Sequence, residues 1–84
     1  MPAHSVTALF FGPVREIVGT DVLPLEVPDP FTGDAAFECL AARYPRLRPW
    51  RPTLRLAVNR AYAPFESVLA PGDEIGFIPP VSGG

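Results

Sequence analysis

Proline and glycine punctuate this chain heavily, with twelve prolines and seven glycines in 84 residues. Proline removes a backbone donor and stops helices, while glycine opens turns and caps. A chain cut this often builds short elements joined by tight turns. Its length gives room for one small domain. With 48% hydrophobic residues it can bury a modest core.

Between the breaks, the apolar pattern switches period. Residues 5–11 alternate as a first strand, with Val6, Ala8 and Phe10 toward one side and Thr7, Leu9 and Phe11 toward the other. Residues 12–19 predict a short helix, with Pro13 at a first helical position and Gly19 as its cap. Residues 21–27 read as a second strand. Pro24 cannot donate to a ladder, so this strand is expected at a sheet edge, antiparallel to the first. Thr32 suits an N-cap and Asp34 a first helical turn. Phe37, Leu40, Ala41 and Tyr44 then follow at helical spacing, giving one buried face before Pro45 stops the helix.

Residues 46–52 hold three arginines, two prolines and the only tryptophan, and read as an irregular connector. Residues 54–59 predict a third strand with Leu54, Leu56 and Val58 inward. Asn59-Arg60 is a turn and residues 61–65 a short fourth strand. Pro71-Gly72-Asp73 is another turn, followed by a last strand over residues 74–78. A sheet with one face on a single long helix makes an α+β fold. The order fits a ubiquitin-like β-grasp: a mixed sheet of four to five strands on one main helix, with the first and last strands parallel in the middle. The domain is expected over residues 1–78, with residues 79–84 as a flexible C-terminal Gly-Gly tail.

The reactive inventory is sparse. One cysteine, Cys39, allows no internal disulfide, and with the single histidine, His4, it builds no zinc cluster. All seven basic residues are arginines, so neither a lysine Schiff base nor a P-loop lysine exists. A net charge of −2 argues against nucleic acid as partner. Arg43, Arg46, Arg48, Arg51 and Arg55 cluster around Trp50, which is read as a solvated connector in preference to a phosphate site. Cys39 reads as a structural thiol beside the apolar stripe, and His4 receives no role. No apolar run is long enough for a bilayer and no signal peptide is recognisable, so a cytoplasmic location is expected. The deficit in catalytic side chains points to a binding or carrier role.

Two features remain to carry one. The chain ends Pro-Pro-Val-Ser-Gly-Gly straight after an apolar strand. Two prolines hold such an exit extended and two glycines make its tip slim, which suits entry into a narrow channel. The terminal carboxylate of Gly84 is then the reactive group, although a tail that merely ends in glycine is an open alternative. The second feature is the outer sheet face, where Leu9, Phe11, Ile78 and Tyr62 would form one apolar patch near the tail's root. Such a patch marks a partner surface, unless a loop covers it.

Three stretches carry a family resemblance: Leu9-Phe-Phe-Gly-Pro-Val-Arg-Glu-Ile-Val-Gly-Thr-Asp21, Leu56-Ala-Val-Asn59, and Gly72-Asp-Glu-Ile-Gly-Phe-Ile-Pro-Pro-Val-Ser-Gly-Gly84. With the order of elements, they resemble the small subunits of molybdopterin synthase, which are ubiquitin-like sulfur carriers. The resemblance implies that an ATP-dependent, ubiquitin-activating-like adenylyltransferase adenylates Gly84. A sulfur donor, ultimately a persulfide, then displaces AMP and leaves a thiocarboxylate. The tail would enter the large subunit and give sulfur to a cyclic pyranopterin precursor, two rounds making the dithiolene of molybdopterin. The complex implied is a heterotetramer of two small and two large subunits. No metal and no tightly bound cofactor is expected on this chain. The resemblance implies that it acts as sulfur donor within a sulfurtransferase complex, without catalytic side chains of its own.

By position, the resemblance puts the reactive end at Gly83 and Gly84. It puts partner contacts at Phe11, Arg15, Tyr62 and Ile78 and along Pro79, Pro80, Val81 and Ser82. Where Ile78 stands, the family often has a second phenylalanine. The alternatives are a carrier of the same fold serving thiamine or cysteine biosynthesis, a non-covalent ubiquitin-like module, and a modifier attached to lysines. Deleting Gly84 separates carrier from module: it should abolish the first activity and spare the second.

Overall fold

The computed structural model describes residues 3–80. Five strands, β1 (Ala3–Phe10), β2 (Val22–Pro28), β3 (Arg55–Val58), β4 (Ala61–Ala63) and β5 (Glu74–Ile78), form one mixed sheet. Their order across it is β2-β1-β5-β3-β4. The first and last strands are neighbours and parallel, with Thr7 opposite Glu74 and Phe10 opposite Phe77. β2 lies at the edge, antiparallel to β1, where the missing donor of Pro24 leaves no ladder bond unmade.

Helix α1 (Gly12–Val18) links β1 to β2, and its C-cap Gly19 sits at φ 89 and donates to the Arg15 carbonyl. Helix α2 (Gly33–Arg43) covers the inner face of the sheet. Its N-cap Thr32 accepts a hydrogen bond from the Ala35 amide through its side chain at 3.2 Å. This arrangement is the β-grasp fold.

The inner face carries the core. Val6, Ala8 and Phe10 of β1, Leu56 of β3, and Ile75 and Phe77 of β5 are buried. They meet Ala36, Phe37, Leu40 and Ala41 of α2. Phe37, Phe65 and Phe77 form an aromatic cluster, with ring centroids 6.4, 5.8 and 6.2 Å apart. Burying each such side chain is worth about 1.5–3 kcal/mol. Gly33 lets α2 start against this cluster, since a Cβ there would lie 2.5 Å from Leu56 Cδ2 and 2.8 Å from the Phe65 carbonyl oxygen.

Three local expectations change. The connector is a regular 3₁₀ helix, Pro45–Thr53. Its period of three puts Leu47 and Trp50 on one side, where Leu47 is buried and Trp50 packs against the core. The arginines on it are not simply solvated: Arg48 pairs with Glu38 at 2.9 Å and Arg51 with Asp34 at 2.8 Å. The Arg51 guanidinium also caps the aromatic cluster, 3.5 Å from the Phe65 ring centroid. Finally, β4 stops at Ala63, because Pro64 has no donor and Phe65 turns inward.

Candidate functional site

The register of the four strands β1, β5, β3 and β4 builds the outer face. Leu9 stands opposite Gly76, Gly76 opposite Ala57, and Ala57 opposite Tyr62. The row therefore runs large, small, small, large. Gly76 and Ala57 make the floor of a pocket of about 290 Å³, and Leu9, Phe11, Tyr62 and Ile78 stand around it. Arg60 and Glu74 close one end, as a loose ion pair at 3.6 Å.

The alternation along each strand separates this face from the core. Phe10 is 1% exposed, whereas its neighbour Phe11 is 45% exposed and Tyr62 69%. Phe11 has left β1 and forms the N-cap of α1 with extended backbone, which turns its ring over the outer face. A Cβ on Gly76 would lie 3.5 Å from Phe11 Cε2 and 3.3 Å from Ile78 Cδ1, so both side chains lean across the floor.

The hairpin turn Asn59-Arg60 positions one end of the pocket. Both residues have positive φ, 50 and 71, as a two-residue primed turn requires. The Asn59 side chain donates to Asp73 Oδ1 at 3.0 Å and accepts from the Glu74 amide at 3.0 Å, tying the turn to the start of β5. At the other end, β5 runs out through Ile78 to Pro79. Gly12, at φ 55, lets Pro79 approach, since a Cβ there would meet Pro79 Cγ at 3.5 Å. Arg15 is exposed on α1 and lines a second depression beside Phe11 and Val22. Arg55 lies opposite Ile78 across the β3–β5 pair, and its guanidinium sits 5.7 Å from the Tyr62 ring centroid.

Thus Phe11, Tyr62 and Ile78 line one pocket, and Pro79 leaves from its edge. Arg15 stands on the far side of Phe11. Val81, Ser82, Gly83 and Gly84 lie outside the described residues. Sequence reasoning missed Ala57 and Gly76 as the floor. The signal was present in the outward positions of two strands, but only the register places them side by side. It also missed a partner for His4, which stacks on Phe31 at 4.5 Å and hydrogen-bonds Asp29 at 3.1 Å. Cys39 is half-buried on α2, and burial first, then the charge of Glu38, pushes its thiol above the usual range. Among the described residues, no group of acidic, His and Cys side chains is placed to hold a metal ion, and no helix is long and apolar enough to cross a membrane.

Comparison with known proteins places these features in context. The model of the ThiS family matches residues 8–84. The molybdopterin synthase sulfur carrier subunit of Haemophilus influenzae is 40% identical over 81 residues, spanning 94% of this chain and 99% of that protein. The molybdopterin synthase sulfur carrier subunit of Mycobacterium tuberculosis is 40% identical over 82 residues, with 94% and 96% covered. Among solved structures, small archaeal modifier protein 1 from Haloferax volcanii superposes with a TM-score of 0.82 at 26% identity, over 95% of this chain and 99% of that one.

Proposed function

The chain belongs to the ThiS family, and we propose that it is the sulfur carrier subunit of a molybdopterin synthase, working through Gly84. The observation that carries this reading is the open apolar pocket at the root of residues 79–84, in a chain whose relatives at 40% identity are named as such subunits. The division of labour follows from chemistry. A carboxylate becomes an electrophile only with a good leaving group. A partner adenylyltransferase joins the Gly84 carboxylate to the α-phosphate of ATP and releases pyrophosphate. The terminal sulfur of a persulfide then displaces AMP to give an acyl disulfide. A second thiol cleaves its S–S bond, forming a disulfide with the donor and releasing a thiocarboxylate that is ionised at neutral pH and nucleophilic through sulfur.

Such a group needs no general base on its own chain. The reactive carbon is delivered into the partner. Phe11, Tyr62 and Ile78 dock the body on the large subunit of the synthase, with Arg15 flanking the exit. Pro79, Pro80, Val81 and Ser82 form the stem and Gly83 the slim approach to the reacting atom. The large subunit supplies the pterin pocket. There, the thiocarboxylate sulfur bonds to a carbon of the cyclic pyranopterin precursor, which loses the oxygen it carried. Water cleaves the acyl–sulfur bond, leaving sulfur on the precursor and a carboxylate on Gly84 that is adenylated and thiocarboxylated anew before the second round. The assembly is a heterotetramer of two small and two large subunits.

The test is reconstitution. Thiocarboxylated chain, purified large subunit and the pyranopterin precursor should yield molybdopterin, and a chain lacking Gly84 should yield none while melting like wild type. Product formed by the truncated chain would overturn the reading. A second reading, attachment to lysines of other proteins, draws on the likeness to small archaeal modifier protein 1. It predicts isopeptide-linked conjugates on incubation with the activating enzyme and cell extract.

A further inference from the structure

We propose that the Gly76–Ala57 floor is a socket for one large apolar side chain, aromatic or leucine-like, carried by the protein that receives the tail and flanked there by carboxylates facing Arg55 and Arg60. It rests on the sulfur-carrier reading, which supplies such a partner. The first support is the register. Strands lie about 4.8 Å apart, so two adjacent small residues between Leu9 and Tyr62 open a gap roughly one side chain wide.

The second support is size and lining. At about 290 Å³ the socket falls at the lower limit of small-molecule sites, roughly 300–1,000 Å³. Such sites also converge polar groups on their ligand. Here no buried side-chain polar atom among the described residues lacks a partner. The space suits an anchor residue of a protein interface, the kind that dominates binding when it fills a central pocket.

The third support is charge. Among the described residues, Arg60 has a single carboxylate contact, at 3.6 Å with Glu74, and no carboxylate lies within 4 Å of Arg55. A second copy laid face to face would bring only Glu74 from the pocket lining to meet the arginines of this face. A partner with an apolar knob ringed by carboxylates is complementary in both shape and sign. Ile78 lines the socket and Pro79 follows it directly, so the floor is continuous with the root of the tail that the partner receives.

The experiment measures binding of the full chain to the purified large subunit of molybdopterin synthase from the same organism, by calorimetry, at low and high salt. Ala57→Leu fills the socket from its floor and should weaken binding roughly tenfold or more, with an unchanged melting curve. Arg55→Glu should weaken binding at low salt, and the gap to wild type should close as salt rises. Should Ala57→Leu fail to fold, Gly76→Ala adds one methyl beside the mobile ends of Ile78 and Phe11, and must weaken binding in its place. Wild-type affinity in folded variants overturns the socket and leaves the carrier reading standing. A wild-type chain that ignores the large subunit overturns that reading, and the socket with it. A wild-type dimer that Ala57→Leu dissociates overturns the choice of occupant.

Discussion

Adjacent residues Phe10 and Phe11 should respond in opposite ways to the same substitution. Phe11 is about half exposed, on the outer face. Full burial of a phenylalanine is worth about 1.5–3 kcal/mol, so its share of the domain's stability is about 1 kcal/mol. In Phe11→Arg the arginine stem recovers part of that by lying along the pocket. At roughly 4–8 °C per kcal/mol for a domain of this size, melting should fall by only a few degrees. In Phe10→Arg the charge enters the core against Phe77 and has no partner there. That costs several kcal/mol and should leave no cooperative transition. Binding to the large subunit should show the difference that the melt does not. Loss of a central aromatic anchor costs about 2 kcal/mol or more, close to thirtyfold in Kd. The assay pairs a thermal melt by circular dichroism with calorimetric titration of the large subunit. A collapse of the Phe11→Arg melt would make Phe11 a core residue. An intact fold with unchanged Kd would remove the outer face from the interface.

Three further outcomes test the packing. Gly33→Ala should lower stability by about 1–3 kcal/mol despite alanine's helical preference, because its methyl meets the Phe65 carbonyl, which cannot retreat without losing its 2.8 Å bond from the Asp34 amide. A raised melting temperature would contradict that contact. Arg60→Gly, which places glycine at a left-handed position, should raise stability by about 0.5–1 kcal/mol, and a lower melting temperature would refute the turn geometry. Cys39 has its thiol pushed up by burial and by Glu38, so less of it is thiolate at neutral pH. Alkylation should therefore be slower than in the urea-unfolded chain and accelerate only at alkaline pH. Equal rates at pH 7 would show an exposed, unperturbed thiol.

What the sequence revealed follows the range of the interactions involved. The Thr32 cap, the Phe37-Leu40-Ala41 stripe and the Pro24 edge position are local rules, and each is readable within one turn or strand. The inward and outward sides of residues 6–11 were also legible, since alternation needs no knowledge of neighbours. The 3₁₀ helix was hidden because its two anchors, Leu47 and Trp50, are spaced by three among prolines that suggest a loop. Arg51 could not be separated from its neighbouring arginines until Asp34 and Phe65 came together around it. The socket floor needed most, since Leu9, Gly76, Ala57 and Tyr62 come from four strands. Patch residues with large side chains attract notice in a sequence, whereas the small ones that give the patch its shape do not.

The central claim, that Gly84 carries sulfur, is tested most directly by the intact mass of the chain before and after incubation with ATP, the activating enzyme, a persulfide donor and a reducing thiol. The account predicts a gain equal to exchanging one oxygen for one sulfur, located at the C-terminus by fragmentation and absent from a chain lacking Gly84. An unchanged mass, with an activating enzyme shown to be active on another carrier, would contradict it.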